Sequence, residues 1–442
     1  MRITISSPDG LGDFILRMPM FRALREAGHE LQLFMRRPAI DLAAAVLPGV
    51  ELREVGADPY HQGTRKKKNP FRGEHKAIRG FGPDVYVAPL FALSFFDEVW
   101  FEVDRWRVPV AGFSTGDTFW PSGTLSDPRS LAANFSTRVD VPVAMPELEK
   151  NRLLGSAILG VDLPRIPPRL EPGAEALESA RTILRAHGLA EGAYWIACVG
   201  TRSGLAMKDW GEENWREFLA GAIPADGRPI VFLGNPKEWE SIERIRSGSY
   251  RSVNLAGDPP PLATSHALAA LSCGYVGRDS GVMHLASASE RRVMAAFSGG
   301  HWARFLPSPP AVVVTQAMSC RGCDFHCPYE RPHCVTAITQ ETMREGWSRL
   351  LAAGQVDVPD AAHTGQERII SETQGGAIAC PGLVDAAPLG HASIAATSIE
   401  VLEQAALEGM DTFTADEARA AEARVREATA RPITWWQRLA RV

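Results

Sequence analysis

The sequence lacks any apolar run long enough to cross a bilayer, and residues 1–20 lack the apolar segment of a leader peptide. It is also poor in cysteine, with seven in 442 residues. In a chain of this length, so few cysteines favour free thiols or metal ligands over a disulfide framework. We therefore expect a cytoplasmic protein.

The sequence also lacks an excess of positive charge. Its 47 Lys and Arg residues are outnumbered by 52 Asp and Glu residues, which gives a net charge of −5. Bulk charge therefore gives no support to nucleic acid as a partner, and any contact with a polyanion must be local. What is present is ordinary for a globular protein: 45% hydrophobic residues, in a chain long enough for two to three domains.

Strand and helix patterns alternate along most of the chain, which predicts mostly parallel sheets covered by helices. In residues 163–173, four of eleven positions are proline, a residue excluded from helix interiors and central strands. This segment is either a domain linker or a long surface loop. We expect an α/β protein with units at 1–165 and 174–350, followed by a partly helical C-terminal extension at 355–442.

The stretch "DGLGD" (9–13) joins a predicted strand to a predicted helix, where backbone N–H groups commonly bind phosphate. However, the dinucleotide fingerprint G-x-G-x-x-G fails, because Ile15 stands at the third glycine, and no Walker lysine follows. An acid at Asp13 would also repel a phosphate on this turn. Asp13 is therefore either a helix cap or a base aimed at the cleft between the domains.

A second strand-to-helix junction, "VGRDSGVMHLASA" (276–288), opens a helix with Ser and Gly, which leaves N–H donors free for an anion. His284 follows one turn into that helix, and a core histidine is the alternative interpretation. Ligands of open α/β sheets bind outside the carboxyl ends of the strands, where this junction lies.

A third junction, "CVGTRSGLAMKDWGEENW" (198–215), places Lys208 in a loop with Thr201 and Ser203. Hydroxyls and a lysine beside a strand end form a natural cradle for a diphosphate. The alternative is an ordinary solvated lysine.

A cysteine cluster spans fifteen residues with the spacing C-x2-C-x3-C-x6-C, formed by Cys320, Cys323, Cys327 and Cys334. Four thiols this close could hold a tetrahedral zinc or iron, although the spacing is not that of a standard zinc ribbon. Such a metal would be structural, because four thiolates leave no open coordination position. Free or disulfide-bonded cysteines are the alternative.

Taken together, the three junctions resemble the ADP-heptose:lipopolysaccharide heptosyltransferase family, glycosyltransferase family 9. "DGLGDFILRMPMFRALR" is similar to the family's opening G-x-x-G-D-x-x-x-x-x-P-x-x-x-x-L segment, and "GRDSGVMHLASA" to its N-D-[ST]-G-x-x-H-x-A segment. Lys208 before Trp210 resembles its K-x-W-P segment. The sequence departs from the family at Arg278, which replaces an Asn, and at Gly211, which replaces the proline. The resemblance covers roughly residues 1–350.

This resemblance implies a GT-B fold, with two Rossmann-like domains facing across a cleft, and inverting, metal-independent transfer. Asp13 would be the general base toward the acceptor, which Gly10 and Gly12 would let come close. Lys208 and the N–H groups at Ser280 and Gly281 would stabilise the leaving diphosphate. The other donor-binding residues would be Thr201, Ser203, Asp279, His284 and either Glu238 or Glu240.

The resemblance also implies an anionic acceptor, of a lipopolysaccharide or other surface-glycan type, met by the basic run Arg65, Lys66, Lys67 and Lys68. A solvated loop is the alternative for that run. The tail around Trp435 and Trp436 either docks on the protein or touches the membrane surface, so a peripheral location is open.

The expected reaction moves a heptose-like sugar, most simply from ADP-heptose, with no catalytic cofactor. Two alternatives remain: a catalytically silent sugar-nucleotide-binding or assembly protein, and a heptosyltransferase that acts on a protein acceptor.

Overall fold

The computed structural model describes residues 1–60, 69–90, 94–114, 131–142, 145–200, 206–246, 250–301, 304–316, 318, 323, 327, 329, 331–353 and 368–372. Within this part of the chain no helix is both long and apolar enough to span a membrane.

The first sheet lies in the N-terminal part of the chain and is entirely parallel. Its strand order is β3-β2-β1-β4-β5-β6, the order of the Rossmann fold. β1 is central because its interior positions are apolar or small and buried on both faces, as a covered parallel strand requires. The described strands are β1 (Arg2–Ser7), β2 (Glu30–Met35), β3 (Glu51–Glu54), β4 (Val85–Ala88), β5 (Val110–Ser114) and β6 (Thr137–Asp140).

The second sheet is also parallel, with the order β13-β12-β11-β10-β7-β8-β9 among the described strands. Read from β9, it repeats the topology of the first sheet and adds one outer strand. Its strands are β7 (Trp195–Cys198), β8 (Ile230–Phe232), β9 (Ser252–Asn254), β10 (Gly274–Arg278), β11 (Arg292–Ala296), β12 (Ala311–Gln316) and β13 (Arg368–Glu372).

β13 lies within the segment 355–442, which the sequence predicts to be a partly helical C-terminal extension. It pairs with β12 in parallel, with Val312 opposite Arg368 and Gln316 opposite Glu372. The physical reason is that β12 would otherwise present an unpaired edge of N–H and C=O groups. The rest of 355–442, with Trp435 and Trp436, lies outside the described residues.

Helices cover both sheets and fill the connections between strands. In the first domain they are α1 (Leu11–Glu26), α2 (Arg37–Val46), α3 (Arg72–Phe81), α4 (Phe95–Asp104) and α5 (Glu147–Leu159). In the second they are α6 (Ala174–Ala186), α7 (Glu212–Asp226), α8 (Trp239–Ile245), α9 (Leu262–Ala270), α10 (Gly281–Ala288), α11 (His333–Thr336) and α12 (Gln340–Ala353). The alternating strand and helix pattern of the sequence is thus confirmed as two Rossmann-like α/β domains.

The proline-rich segment 163–173 crosses between the two domains without helix or strand. It lies against the second domain, where the Leu170 N–H donates to the Ala288 carbonyl at 2.8 Å. An ion pair of 2.8 Å between Arg169 and Glu290 stands beside it. One apolar core continues from the first sheet to the second, since Ile3 and Phe14 belong to the same buried cluster as Met283.

Candidate active site

Two helix N-termini meet between the domains, each at the carboxyl end of a central strand. α1 begins at Leu11 after β1, and α10 begins at Gly281 after β10. Both strands lie where the strand order of their sheet reverses, which is where open α/β sheets bind ligands. The arrangement brings two of the three junctions predicted from the sequence face to face.

The turn before α1 is closed by the side chain of Asp13. Gly10 takes the N-cap position, and its N–H donates to Oδ2 of Asp13 at 3.1 Å. The capping role expected of Asp13 is therefore present. Capping uses one carboxylate oxygen, and the other lies 4.0 Å from Nη2 of Arg17, so the cap leaves Asp13 able to exchange a proton.

Arg17 anchors this turn, and sequence reasoning missed it. Its guanidinium is 1% exposed and bonds both oxygens of Asp9, with Nη1 at 2.5 Å from Oδ1. It also donates to Ser7 Oγ at 2.9 Å and to the Pro89 carbonyl at 2.6 Å. Asp9 is therefore the counter-ion of a buried arginine. The signal in the sequence was the four-residue spacing of Asp13 and Arg17 on one helix face.

The pKa of Asp13 is raised from 3.8 to about 7. Burial is the largest cause, and the negative charges of Asp9 and Glu147 add to it, while Arg17 and Arg304 act in the opposite direction. About a fifth of the Asp13 side chain remains exposed. A carboxylate with a near-neutral pKa and an open edge is suited to accept a proton at physiological pH.

A buried ion cluster joins the domains close to Asp13. Oε1 of Glu147, at the start of α5, accepts from Lys150 Nζ and from Arg304 Nε, both at 2.8 Å. Arg304 belongs to the second domain, between β11 and β12. Its carbonyl also accepts from the Glu147 N–H at 2.9 Å. The two cations lower the pKa of Glu147 to about 2, so this carboxylate is ionised at neutral pH.

The two helix ends touch at Gly12 and His284. A Cβ at Gly12 would stand 2.9 Å from Cδ2 of the histidine ring, so only glycine fits there without displacement. Nε2 of His284 is buried and has no hydrogen-bond partner within the described part of the chain. Burial lowers the pKa of His284 to about 4, so the ring is neutral. The histidine is therefore more than a satisfied core residue, because it presents an unused polar atom at the domain contact.

Lys208 lies on a short 3-10 turn (Ala206–Lys208) and forms a buried ion pair with Asp279. The alternative of a solvated lysine is wrong, since Lys208 is 8% exposed. Asp279 directly precedes Ser280, which caps α10 by accepting from the Met283 N–H at 3.3 Å. A cation is thus held beside the positive end of a helix, the setting that suits a diphosphate.

Of the two glutamates considered for the ribose, Glu238 is the one at the strand ends. It is 2% exposed, and its Oε2 accepts from the Asn235 N–H at 2.9 Å. Its Oε1 accepts from Nη2 of Arg278 at 3.1 Å. Glu240 is exposed in the first turn of α8. The geometry therefore favours Glu238, and it shows that the unusual Arg278 neutralises that carboxylate.

Several predicted residues cannot be located in this site, because they lie outside the described residues. They are the donor-loop residues Thr201 and Ser203, the basic run Arg65, Lys66, Lys67 and Lys68, and Cys320 of the cysteine cluster.

The described cysteines of the cluster line one pocket, together with His333 and Met318. These cysteines are Cys323, Cys327 and Cys334. Across the described residues, no three His, Cys, Asp or Glu side chains are grouped so as to hold a metal ion.

Known structures share this architecture. The ADP-heptose lipopolysaccharide heptosyltransferase II of E. coli superposes with a TM-score of 0.58 at 19% identity, covering 80% of this chain and all of that one (100%). A glycosyltransferase of family 9 from Veillonella parvula gives a TM-score of 0.60 at 15% identity, covering 80% of this chain and 97% of the other. No curated protein sequence matches the chain.

The two facing domains have the GT-B fold of these glycosyltransferases. Within that class, residues 122–324 match the profile of glycosyltransferase family 9 (heptosyltransferase). Over that range the chain is therefore similar to the glycosyltransferases of family 9.

Proposed function

We propose that this chain is an inverting transferase that moves a heptose-like sugar from a nucleoside diphosphate to a lipopolysaccharide-type or other surface-glycan acceptor. ADP-heptose is the first candidate donor, because a similar structure is that of an ADP-heptose lipopolysaccharide heptosyltransferase. The observation that carries the proposal is the position of Asp13. It has a pKa of about 7 and stands on a helix end that meets the N-terminus of α10.

In the proposed reaction, the acceptor hydroxyl gives its proton to Asp13 as its oxygen attacks the anomeric carbon of the sugar. The bond from that carbon to the diphosphate breaks on the opposite face, so a single displacement inverts the configuration. The diphosphate leaves with its electron pair, and Lys208 and the N–H groups at Ser280 and Gly281 stabilise the developing charge.

Lys208 would change partners during this cycle. Without donor it is paired with Asp279. A diphosphate at the start of α10 would compete with that carboxylate for the ammonium group. His284 Nε2, which is buried at the same place, would gain a partner from the donor. In this proposal protein groups stabilise the negative charge of the leaving diphosphate, so no metal ion is needed for that purpose. We therefore expect transfer to continue in the presence of EDTA.

The direct test is sugar transfer from ADP-heptose to lipopolysaccharide that lacks heptose, measured for the wild type and Asp13→Asn. We expect the variant to lose at least about a hundredfold in turnover, the usual contribution of a general base. Its affinity for ADP should be unchanged. Equal turnover of the variant would show that Asp13 is not the base. Donor binding by the wild type without transfer would instead favour a catalytically silent sugar-nucleotide-binding protein.

A further inference from the structure

One aromatic side chain is exposed beside the proposed donor site. Trp239 is 44% exposed and begins α8, directly after Glu238. Among the described residues, the other large exposed hydrophobic side chains, Met1, Val161 and Ile166, are aliphatic. An indole offers a large, rigid apolar face on which a planar ligand can pack.

The indole ring is held against the loop that follows β9. A Cβ at Gly257 would lie 2.8 Å from Cδ1 and 3.1 Å from Nε1 of Trp239, so the glycine lets the ring rest on the backbone. One edge of the ring is therefore covered by the loop, and the rest of the ring is exposed to solvent.

Asn254 fixes the distance between the start of α8 and this loop. Its Nδ2 donates to the Trp239 carbonyl at 3.3 Å and to Glu243 Oε1 at 2.7 Å. Its Oδ1 accepts from the Ala256 N–H at 3.0 Å. Asn254 thus holds the Trp239 backbone to the end of β9 and also bonds the loop on which the ring rests, as a preorganised contact surface requires.

The order of strands indicates which part of a bound nucleotide would lie near the Trp239 ring. β10, which leads to Asp279 and α10, is followed outward by β7, β8 and β9. A diphosphate at α10 and a ribose at Glu238 lie two strand spacings apart, roughly 10 Å. A nucleotide extended along this direction continues past Glu238 to the ends of β8 and β9. Trp239 and Gly257 lie there.

We propose that the exposed face of Trp239 stacks on the nucleobase of the sugar-nucleotide donor. This inference rests on the proposed function, since it assumes a nucleoside diphosphate whose phosphates lie at α10. Stacking on an indole is available to every base, because each base has a π-face. The ring would therefore contribute affinity for the nucleoside, and the groups around it would select the base.

The test compares binding of nucleoside diphosphates and inorganic pyrophosphate by calorimetry. The wild type is titrated with ADP, GDP and UDP, and the tightest of these is carried forward. We expect Trp239→Ala to weaken its binding about tenfold, in the range of base stacking on an aromatic ring. Pyrophosphate, which has no base, should bind the variant as it binds the wild type. Trp239→Phe should recover most of the affinity. Ile166→Ala, which removes an exposed aliphatic side chain from the linker, should leave the affinities for the nucleotide and for pyrophosphate unchanged.

Two results would overturn the stacking role alone: wild-type affinity of Trp239→Ala for the nucleotide, or an equal loss for pyrophosphate, which would indicate a disturbed loop. If the wild type binds none of the three nucleotides, the proposed function fails with it. A second readout separates stacking from packing. The bound nucleotide should quench tryptophan emission of the wild type, and Trp239→Phe should lose most of that quenching while still binding.

Discussion

Glu147 of the first domain and Arg304 of the second are joined inside the domain interface, with 2.8 Å between Oε1 and Nε. Lys150 donates to the same oxygen, and each of the three side chains is 5% exposed or less. The pKa of Glu147 is about 2, so the tie keeps its charge throughout the neutral range. Buried ion pairs close to Asp13 thus connect the two domains.

Replacing Glu147 should therefore be costly. Glu147→Gln leaves two buried cations without their carboxylate, and we expect a loss of about 3–5 kcal/mol in the free energy of unfolding. The matched control is Glu149→Gln on the same helix, whose pair with Arg152 is more exposed and should contribute about 1 kcal/mol or less. Urea denaturation at pH 7 measures both.

The same experiment has a pH signature. The folded-state pKa of Glu147 lies below its usual 4.5, so its stabilising contribution is complete above that value and is lost as the pH falls toward 2. The difference between wild type and Glu147→Gln should shrink over that window. A difference that stays constant down to pH 3 would contradict the ion-pair explanation.

The activity of the wild type should fall as the pH decreases through about 7, where Asp13 takes up its proton. Glu147 is one of the negative charges that raise the pKa of Asp13. Glu147→Gln should therefore move the acid limb of kcat/KM to lower pH, in the fraction that remains folded. A shift to higher pH would show that Glu147 does not raise the pKa of Asp13.

Asp13→Asn should make the protein more stable while it removes the base. Because the fold raises the pKa of Asp13, keeping it ionised costs stability as the pH rises from about 4 to 7. We expect a gain on the order of 2 kcal/mol at pH 8, reduced from the full linkage value by the exposed part of the side chain. Asp9→Asn is the contrast, since it weakens the pairing of buried Arg17 and should destabilise. Thermal unfolding at pH 8 and pH 4 checks both, and the gain at Asp13 should vanish at pH 4.

Gly12→Ala should push the domains apart. The added methyl group would lie 2.9 Å from the His284 ring, which is buried at the domain contact. We expect a lower rate of transfer and a larger radius of gyration by solution scattering. Gly73→Ala in α3 is the control, because a Cβ there has no heavy atom within 4 Å. If His284→Ala restores the activity of Gly12→Ala, the clash is the cause, whereas additive losses would argue against it.

Lys208→Met should lower kcat by about a hundredfold to a thousandfold, the range for the loss of one group that stabilises transition-state charge. It should also weaken ADP binding, because the ammonium faces the proposed diphosphate position. Arg244→Met is a matched control: Arg244 pairs with Glu212 on the surface of the same domain. Steady-state kinetics with calorimetry distinguishes these outcomes. A normal kcat in Lys208→Met would exclude it from leaving-group stabilisation.

The order of strands and helices could be predicted from the sequence because each element carries its own pattern of apolar residues and glycines. The junctions at Asp13 and Ser280 could also be located, since a helix N-terminus after a parallel strand is a local feature. Contacts between residues far apart in the chain could not be predicted from the sequence. Nothing near Glu147 in sequence points to Arg304, and the choice between Glu238 and Glu240 depended on which one faces Arg278. β13 was missed because it is short and its stability comes from pairing with β12.

The linker is attached to the far end of the helix whose first turn faces the proposed donor. α10 has eight residues, so the Ala288 carbonyl that holds Leu170 stands about 12 Å from Gly281. A helix of this length moves as a rigid rod. Any shift of its first turn when a diphosphate binds is therefore transmitted to the segment about which the domains would rotate. If a diphosphate binds at Gly281 as proposed, α10 therefore links that binding site directly to the segment that connects the two domains.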